Sequence, residues 1–154
     1  MKSKRLNNLG KINRDKTLNF TWDNKKLSGF EGDSLASALL ANNIGIVGRS
    51  FKYHRPRGIF SSGVEESGAL VTIGSKDRRD PNVRATTQEL FDGLKASGQN
   101  AFPNVNFDLG GINNYIGRFF AAGFYYKTFM GIPPFEWGKG TAIWMLFEKL
   151  IRKA

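Results

Sequence analysis

A basic loop between two apolar runs carries the side chains with the clearest capacity for chemistry. Five basic or imidazole side chains fall between positions 49 and 57: Arg49, Lys52, His54, Arg55 and Arg57. The arginines and the lysine could neutralise phosphates while Phe51 or Tyr53 stacks on a ring. Alternatively, the loop is structural, and its arginines pair with carbonyls and carboxylates inside the fold or at a subunit contact. We favour the second interpretation and treat the five side chains as candidates for anion binding or for an interface.

The histidine and the glutamates near this loop do not form a catalytic set. His54 is the single histidine, no carboxylate can be assigned to it, and we interpret it as a hydrogen-bonded structural residue. Glu65 and Glu66 could suggest paired carboxylates for acid–base catalysis. Adjacent side chains on an extended segment point to opposite faces, however, so we expect a solvated loop. The glycines form neither GxGxxG nor GxxxxGK[ST], so no phosphate-binding loop is predicted.

The composition excludes several classes of site. The 154-residue chain has no cysteine, which rules out disulfides, zinc thiolate sites, iron–sulfur ligation and cysteine nucleophiles. The net charge of +10 suits nucleic acid, an anionic cofactor, an acidic partner protein or a membrane surface. No run of about 18 apolar residues is present, so we expect no membrane span. No secretory signal is evident at the N-terminus, and a cytoplasmic protein is expected.

Upstream of the loop, the sequence predicts a hairpin followed by a helix. Alternating apolar and polar residues at Leu18–Trp22 predict a half-buried strand, and residues 25–30 could return as its partner. Leucine- and alanine-rich residues 35–41 predict a helix with Asp33 or Ser34 as its N-cap. The helix should pack its leucines on the sheet.

Downstream of the loop, a second group of strands is predicted. Leu70–Ile73 is a short apolar run that suits a core strand. Residues 76–82 are charged and contain Pro81, so a solvated loop is expected, whereas residues 83–94 could be a strand pair or a short helix. The order of hairpin, helix, strand, long loop and strand predicts an α+β fold of the β-grasp type.

Three regions differ in character along the chain. Residues 1–16 are polar and basic and are interpreted as a loosely ordered arm, and residues 17–100 form the β-grasp domain. Residues 101–154 are aromatic-rich and glycine-punctuated, and their last segment, Thr141–Ala154, has apolar residues at helical spacing. So much aromatic surface commonly marks a partner interface. We therefore expect residues 101–154 to be a helical extension that docks on something outside this chain.

Five segments resemble the N-terminal part of the alpha subunit of heterotetrameric sarcosine oxidase. The segments are Gly32–Asn42, Val47–Gly58, Asn82–Leu90, Gly123–Met130 and Glu148–Arg152. The resemblance extends over most of the chain. It implies a two-iron ferredoxin-like domain that has lost its cluster, with residues 101–154 leading toward a dinucleotide-binding domain that this chain lacks.

The spacing of plant-type cluster ligands can be laid on the loop that follows the basic segment. The C-x4-C-x2-C pattern with a later fourth cysteine places the lost cluster positions at Ser61, Glu66, Ala69 and Thr86. Alanine cannot ligate iron, and the hard oxygens of the other three suit a cluster poorly. We therefore expect a ferredoxin-like fold without electron transfer through a bound cluster.

The resemblance implies a role within a flavoenzyme complex. Such a complex would oxidise sarcosine to glycine and transfer the one-carbon unit to tetrahydrofolate, with NAD, FAD and FMN as further cofactors of the whole assembly. No catalytic residue carries over to this chain, so we expect a non-catalytic scaffold whose partners are other sarcosine oxidase domains and subunits. The competing hypothesis is a small basic nucleic-acid-binding module that uses Lys52, Arg55 and Arg57 with Tyr53. That hypothesis predicts binding that weakens steeply with salt.

Overall fold

A mixed β-sheet forms the frame of the molecule. The computed structural model describes residues 5–6 and 9–116. The strands are β1 (Asn13–Trp22), β2 (Lys25–Glu31), β3 (Gly48–Arg49), β4 (Pro56–Arg57), β5 (Leu70–Ser75), β6 (Arg78–Arg84) and β7 (Lys95–Ser97), and the α-helices are α1 (Leu35–Ala41) and α2 (Asn113–Ile116). The main sheet has the order β2-β1-β7-β5-β6, and β3 and β4 form a separate two-stranded hairpin. The predicted α+β fold of the β-grasp type is confirmed.

The β1–β2 hairpin matches the expected alternation. Leu18, Phe20 and Trp22 are buried on one face of β1, and β2 pairs with β1 in antiparallel register. The two turn residues, Asp23 and Asn24, both have positive φ, which suits the right-handed twist of the strands. The ordered strand begins at Asn13 and therefore includes residues 13–16, which the sequence analysis assigned to the arm.

Helix α1 spans the predicted residues and packs on the sheet. The Ser34 side chain accepts a hydrogen bond from the Ser37 N–H, so Ser34 is the N-cap. The first N–H groups of the helix donate to the segment that follows β6, from Ala36 to the Ala85 carbonyl and from Leu35 to the Gln88 carbonyl, both at 2.8 Å. These contacts satisfy donors that a helix cannot pair internally, and they hold the segment in place.

Asp33 joins the start of α1 to the N-terminal region. Its buried carboxylate accepts hydrogen bonds from Nη1 and Nη2 of Arg5, at 2.9 and 2.8 Å, and from the hydroxyl of Ser37 at 2.7 Å. Burial alone would raise the pKa of Asp33, but the hydrogen bonds from Arg5 and Ser37 bring that pKa below its ordinary value. At least one residue of the predicted arm is thus bound to the domain.

Two predictions for the downstream region are wrong. Residues 78–84 form β6, which pairs antiparallel with β5, instead of the expected solvated loop. The strand lies at the edge of the sheet and its side chains are nearly all exposed, so its charges stay in water. Pro81 has no backbone N–H to donate, but an edge strand has no second neighbouring strand that would need that hydrogen bond. Residues 85–94 are a succession of turns with one isolated bridge, neither a strand pair nor a helix. Their backbone groups pair with α1 and the β1–β2 hairpin instead.

The short strand β7 was not predicted, although it lies at the centre of the sheet. It pairs parallel with β1 and antiparallel with β5. Beyond it, the described chain contains a 3₁₀ helix, Leu109–Ile112, and the single helical turn of α2. The expected helix at Thr141–Ala154 lies outside the described residues.

Candidate functional site

Glu66 is a buried carboxylate at the centre of the loop between β4 and β5. Its residue surface is 2% exposed. The N–H groups of Phe60 and Ser61 donate to Oε2 at 2.6 and 2.7 Å, and those of Gly68 and Ala69 donate to Oε1 at 2.6 and 3.3 Å. These backbone hydrogen bonds, the one from Ser61 foremost, lower the pKa of Glu66 from 4.5 to about 2. The carboxylate is therefore ionised at neutral pH.

The burial of Glu66 corrects the expectation of a solvated pair of glutamates. Glu65 is exposed, as expected, and accepts a hydrogen bond from the Gly63 N–H at 3.2 Å. The two neighbouring side chains do point apart, but the inward one is surrounded by the backbone of its own loop. No paired-carboxylate site results, because the two acids occupy different environments and Glu66 has its acceptor capacity already filled.

Two contacts from β6 and the turn after it close the Glu66 loop. The Arg84 Nε donates to the Glu66 carbonyl at 3.0 Å, and the Thr86 hydroxyl donates to the Gly63 carbonyl at 2.8 Å. The structure thus brings together the four residues to which the cluster spacing points. Ser61 and Ala69 donate their N–H groups to Glu66, and Thr86 bonds to the same loop.

A two-iron cluster does not fit these residues. Serine, glutamate, alanine and threonine offer no thiolate, which is the ligand that iron–sulfur clusters require in this type of domain. The loop N–H groups that would be free to donate to cluster sulfurs are taken up by the Glu66 carboxylate. The Glu66 carboxylate thus accepts the hydrogen bonds at the centre of the loop.

The basic loop is divided between inward and outward side chains. Arg49 faces inward, and its Nε and Nη1 donate to the carbonyls of Val105 and His54, each at 3.0 Å. This is the kind of contact that the structural interpretation of the loop expects. Arg55 and Arg57 are exposed, while Lys52 and Arg55 lie 4.9 and 4.7 Å from the centre of the Tyr53 ring.

Asp108 is the carboxylate partner that the sequence analysis could not assign to His54. Its side chain is fully buried, and Oδ2 lies 2.8 Å from His54 Nδ1 and 3.7 Å from Arg49 Nε. Burial alone would raise the pKa of Asp108, but hydrogen bonds from the Phe102 N–H and His54 bring that pKa below its ordinary value. Since an ionised carboxylate can only accept, His54 Nδ1 carries the proton.

The His54–Asp108 contact should contribute measurably to stability. We expect His54→Asn to lower the free energy of unfolding by about 1 kcal/mol, because one partly buried hydrogen bond to a carboxylate is lost. Asparagine tolerates the positive φ of 53° at this position, so the backbone is not strained. Urea denaturation checks the value, with Arg78→Gln on the exposed edge strand as control. Equal midpoints for His54→Asn and the unsubstituted chain would contradict the prediction.

A pocket of about 330 Å³ lies between the β3–β4 hairpin and the Glu66 loop. Its polar lining residues are Arg49, Arg57, Ser50, Ser67, Asn82, Gln99 and Asn100. No carboxylate side chain lines it among the residues that the structure describes. The pocket therefore has the charge character of a site for a negative group.

Sequence reasoning missed Asp108 and Arg84 as parts of this region. Asp108 caps the 3₁₀ helix by accepting the Gly110 N–H, and an aspartate before Leu-Gly-Gly is a local signal that could have shown the cap. No local signal shows that the same carboxylate reaches His54, 54 positions earlier in the chain. Arg84 likewise contacts a carbonyl 18 positions away.

The chain matches one family model and is similar to several known proteins. Residues 15–101 match the family described as "2Fe-2S iron-sulfur cluster binding domain". The chain is 51% identical over all 154 residues to "Sarcosine oxidase subunit alpha" of Rhizobium meliloti (strain 1021) and spans 15% of that protein. It is 49% identical over 90 residues to "Sarcosine oxidase subunit alpha" of Corynebacterium sp. (strain U-96), which is 56% of this chain and 9% of that protein.

One similar solved structure is titled "Crystal structure of L-proline dehydrogenase from P.horikoshii". Its TM-score is 0.46 at 26% identity, over 60% of this chain and 17% of that chain. No helix among the described residues has the length and hydropathy needed to cross a membrane.

The family match spans more than half of the sequence, and the chain therefore belongs to the 2Fe-2S iron-sulfur cluster binding domain family, as a member without cysteine.

Proposed function

We propose that this chain is a non-catalytic scaffold module of a sarcosine oxidase alpha subunit. The observation that carries the proposal is the Glu66 loop, in which a protein carboxylate takes the hydrogen bonds around the positions where cluster ligands are expected. A domain whose loop is ordered without a cluster contributes its folded shape to the complex, and it contributes no redox chemistry. The 51% identity to one alpha subunit over the whole chain supports the assignment.

The complex that this module would serve oxidises sarcosine to glycine. In this proposal the electrons pass to oxygen, the one-carbon unit passes to tetrahydrofolate, and NAD, FAD and FMN bind elsewhere in the assembly. The other domains and subunits of the complex are the partners. The short span of the chain relative to its relatives, 15% and 9%, leaves most of such a protein to supply these sites.

The nucleic-acid alternative is not favoured. Two of the five candidate side chains, Arg49 and His54, are used inside the fold. Tyr53 already has two cations near its ring, so its availability for stacking on a base is reduced. The relatives also carry the name of an oxidase subunit and not of a nucleic-acid-binding protein.

The test is a chimeric sarcosine oxidase. The segment of the Rhizobium meliloti alpha subunit that matches this chain is replaced by the present sequence, and the subunits are expressed together. We expect an assembled complex that consumes oxygen with sarcosine, whereas the purified 154-residue chain alone consumes none. Oxygen uptake by the isolated chain, or failure of the chimera to assemble while the parent complex assembles, would contradict the proposal.

A further inference from the structure

The pocket between the β3–β4 hairpin and the Glu66 loop has a positive charge that no carboxylate of the described residues pairs with at Arg57. Among the described residues, Arg57 is exposed and no carboxylate forms an ion pair with its guanidinium. Arg49 spends two N–H groups on carbonyls, with Asp108 at 3.7 Å. The Glu66 carboxylate, which does not line the pocket, already accepts hydrogen bonds from four N–H groups. A negative group from outside would meet no competing carboxylate of the described residues at Arg57.

One aromatic ring lines this pocket and a second lies against a residue of its lining. Phe51 lines the pocket and is 40% exposed, and Phe60 is 83% exposed. The Phe60 ring lies against Gly68, a pocket residue, because a Cβ on Gly68 would come within 3.2 Å of it. An exposed arginine and exposed aromatic rings around one pocket have the composition of an interface hot spot. We call Phe51, Arg57, Phe60 and Ser67 the Arg57 face.

The Arg57 face is held in position before any partner arrives. On one side, Glu66 accepts hydrogen bonds from the N–H groups of Phe60 and Ser61 and so holds the backbone that carries the Phe60 ring. On the other side, the buried Asp108 carboxylate ties His54 in the hairpin to the chain after β7. Loops that are ordered in advance lose little conformational entropy on binding, so more of the free energy of their contacts appears as binding affinity.

We propose that the Arg57 face docks an acidic protein segment, with an aspartate or glutamate carboxylate on Arg57 and apolar neighbours against Phe60 and Phe51. The segment belongs to the part of the sarcosine oxidase assembly outside this chain, so the assignment rests on the proposed function. Charge complementarity supports it, since the chain carries +10 and the pocket has no lining carboxylate among the described residues. The present sequence spans 15% of the Rhizobium meliloti relative, so most of such a subunit lies outside this chain.

A protein carboxylate suits the face better than a nucleic acid does. Among the described residues, the pocket offers one guanidinium without an ion-pair partner, that of Arg57, whereas a nucleic-acid strand needs a row of phosphate contacts. Arginine pairs with a carboxylate in a planar, two-bond geometry that adds specificity to the attraction.

The experiment uses the chimeric complex and two variants with matched controls. Arg57→Glu reverses the charge of the face, and Arg79→Glu makes the same change on the exposed edge strand β6. Phe60→Ala is matched by Phe91→Ala, whose ring is 52% exposed. We expect Arg57→Glu and Phe60→Ala to lower the amount of assembled complex at least tenfold, and the two controls to stay within twofold. The thermal midpoint of each isolated 154-residue variant verifies that the fold is kept.

A photo-cross-linking amino acid at position 60 identifies the occupant. We expect one cross-linked peptide from the remainder of the complex, with aspartate or glutamate beside apolar residues. A cross-link to a second copy of this chain, to a peptide without a carboxylate, or none in an assembled complex would overturn the assignment. So would salt-sensitive binding of an oligonucleotide that Arg57→Glu abolishes.

The two proposals fail in different ways. A chimera that assembles and oxidises sarcosine while Arg57→Glu behaves like Arg79→Glu leaves the scaffold role standing and overturns only the docking face. A chimera that does not assemble, beside a parent complex that does, overturns the scaffold role and the docking face with it.

Discussion

Replacing Glu66 by glutamine should lower the free energy of unfolding of this chain by about 3 kcal/mol. Glutamine has nearly the same shape, but only one of its two terminal atoms accepts hydrogen bonds. Two N–H groups of the loop would then face an NH₂ group instead of an oxygen, in a position that is 2% exposed. Buried donors without an acceptor are costly, and hydrogen bonds to a charged acceptor are among the stronger ones. Equilibrium urea denaturation at neutral pH measures the loss.

Glu65→Gln is the matched control for this substitution. The change in chemistry is identical and the position is adjacent, but the Glu65 side chain is exposed and accepts one hydrogen bond from its own loop. The urea denaturation midpoint of Glu65→Gln should remain close to that of the unsubstituted chain. If Glu66→Gln and Glu65→Gln unfolded at the same urea concentration, the buried carboxylate would not be what holds the loop.

The parts of the fold that sequence predicted correctly are those with local signals. The helix over 35–41 combines strong helix formers with a serine N-cap, and both act within a few residues. The β1–β2 hairpin has an alternating strand and a turn, Asp23-Asn24, that accepts positive φ. In each case the residues that decide the structure are neighbours in the sequence, so composition and spacing were sufficient.

The parts that sequence did not predict depend on distant partners. Strand β6 is charged and contains Pro81, and only its position at the sheet edge beside β5 makes it a strand. The three residues of β7 owe their conformation to β1 and β5, which flank them. Neither segment shows the alternation of apolar and polar residues that distinguishes a strand from a loop. Strand β6 lacks it because the strand is exposed at the sheet edge, and β7 lacks it because the strand is too short.

The candidate site shows the same division. The basic loop was recognisable from composition, and its structural interpretation anticipates the contacts of Arg49 with carbonyls. The positions Ser61, Glu66, Ala69 and Thr86 could be placed by laying a ligand spacing on the chain. The burial of Glu66 could not, because a carboxylate becomes an interior residue only when the backbone folds its N–H groups around it. The pairing of His54 with Asp108 likewise needs the tertiary structure.

Acid should remove the contribution of Glu66 in a defined pH range. The pKa of the folded state, about 2, lies below the ordinary value of 4.5, so the unfolded chain binds the proton first as the pH falls. The stabilisation is therefore fully present above about pH 4.5 and is lost as the pH falls to about 2. Over that range the free energies of unfolding of the unsubstituted chain and of Glu66→Gln should converge, with a slope of at most about 1.4 kcal/mol per pH unit.

The comparison with Glu66→Gln isolates one carboxylate among several. Asp33 and Asp108 also have lowered pKa values, after hydrogen bonds outweigh the effect of burial, and both lose stabilisation in acid. They titrate in the unsubstituted chain and in the variant alike, so the difference between the two unfolding free energies cancels their contribution. Urea denaturation of both proteins at steps from neutral pH to about pH 2 gives that difference. A difference that stays constant through this range would mean that the Glu66 carboxylate is not stabilised in the folded state by the N–H groups of Phe60, Ser61, Gly68 and Ala69.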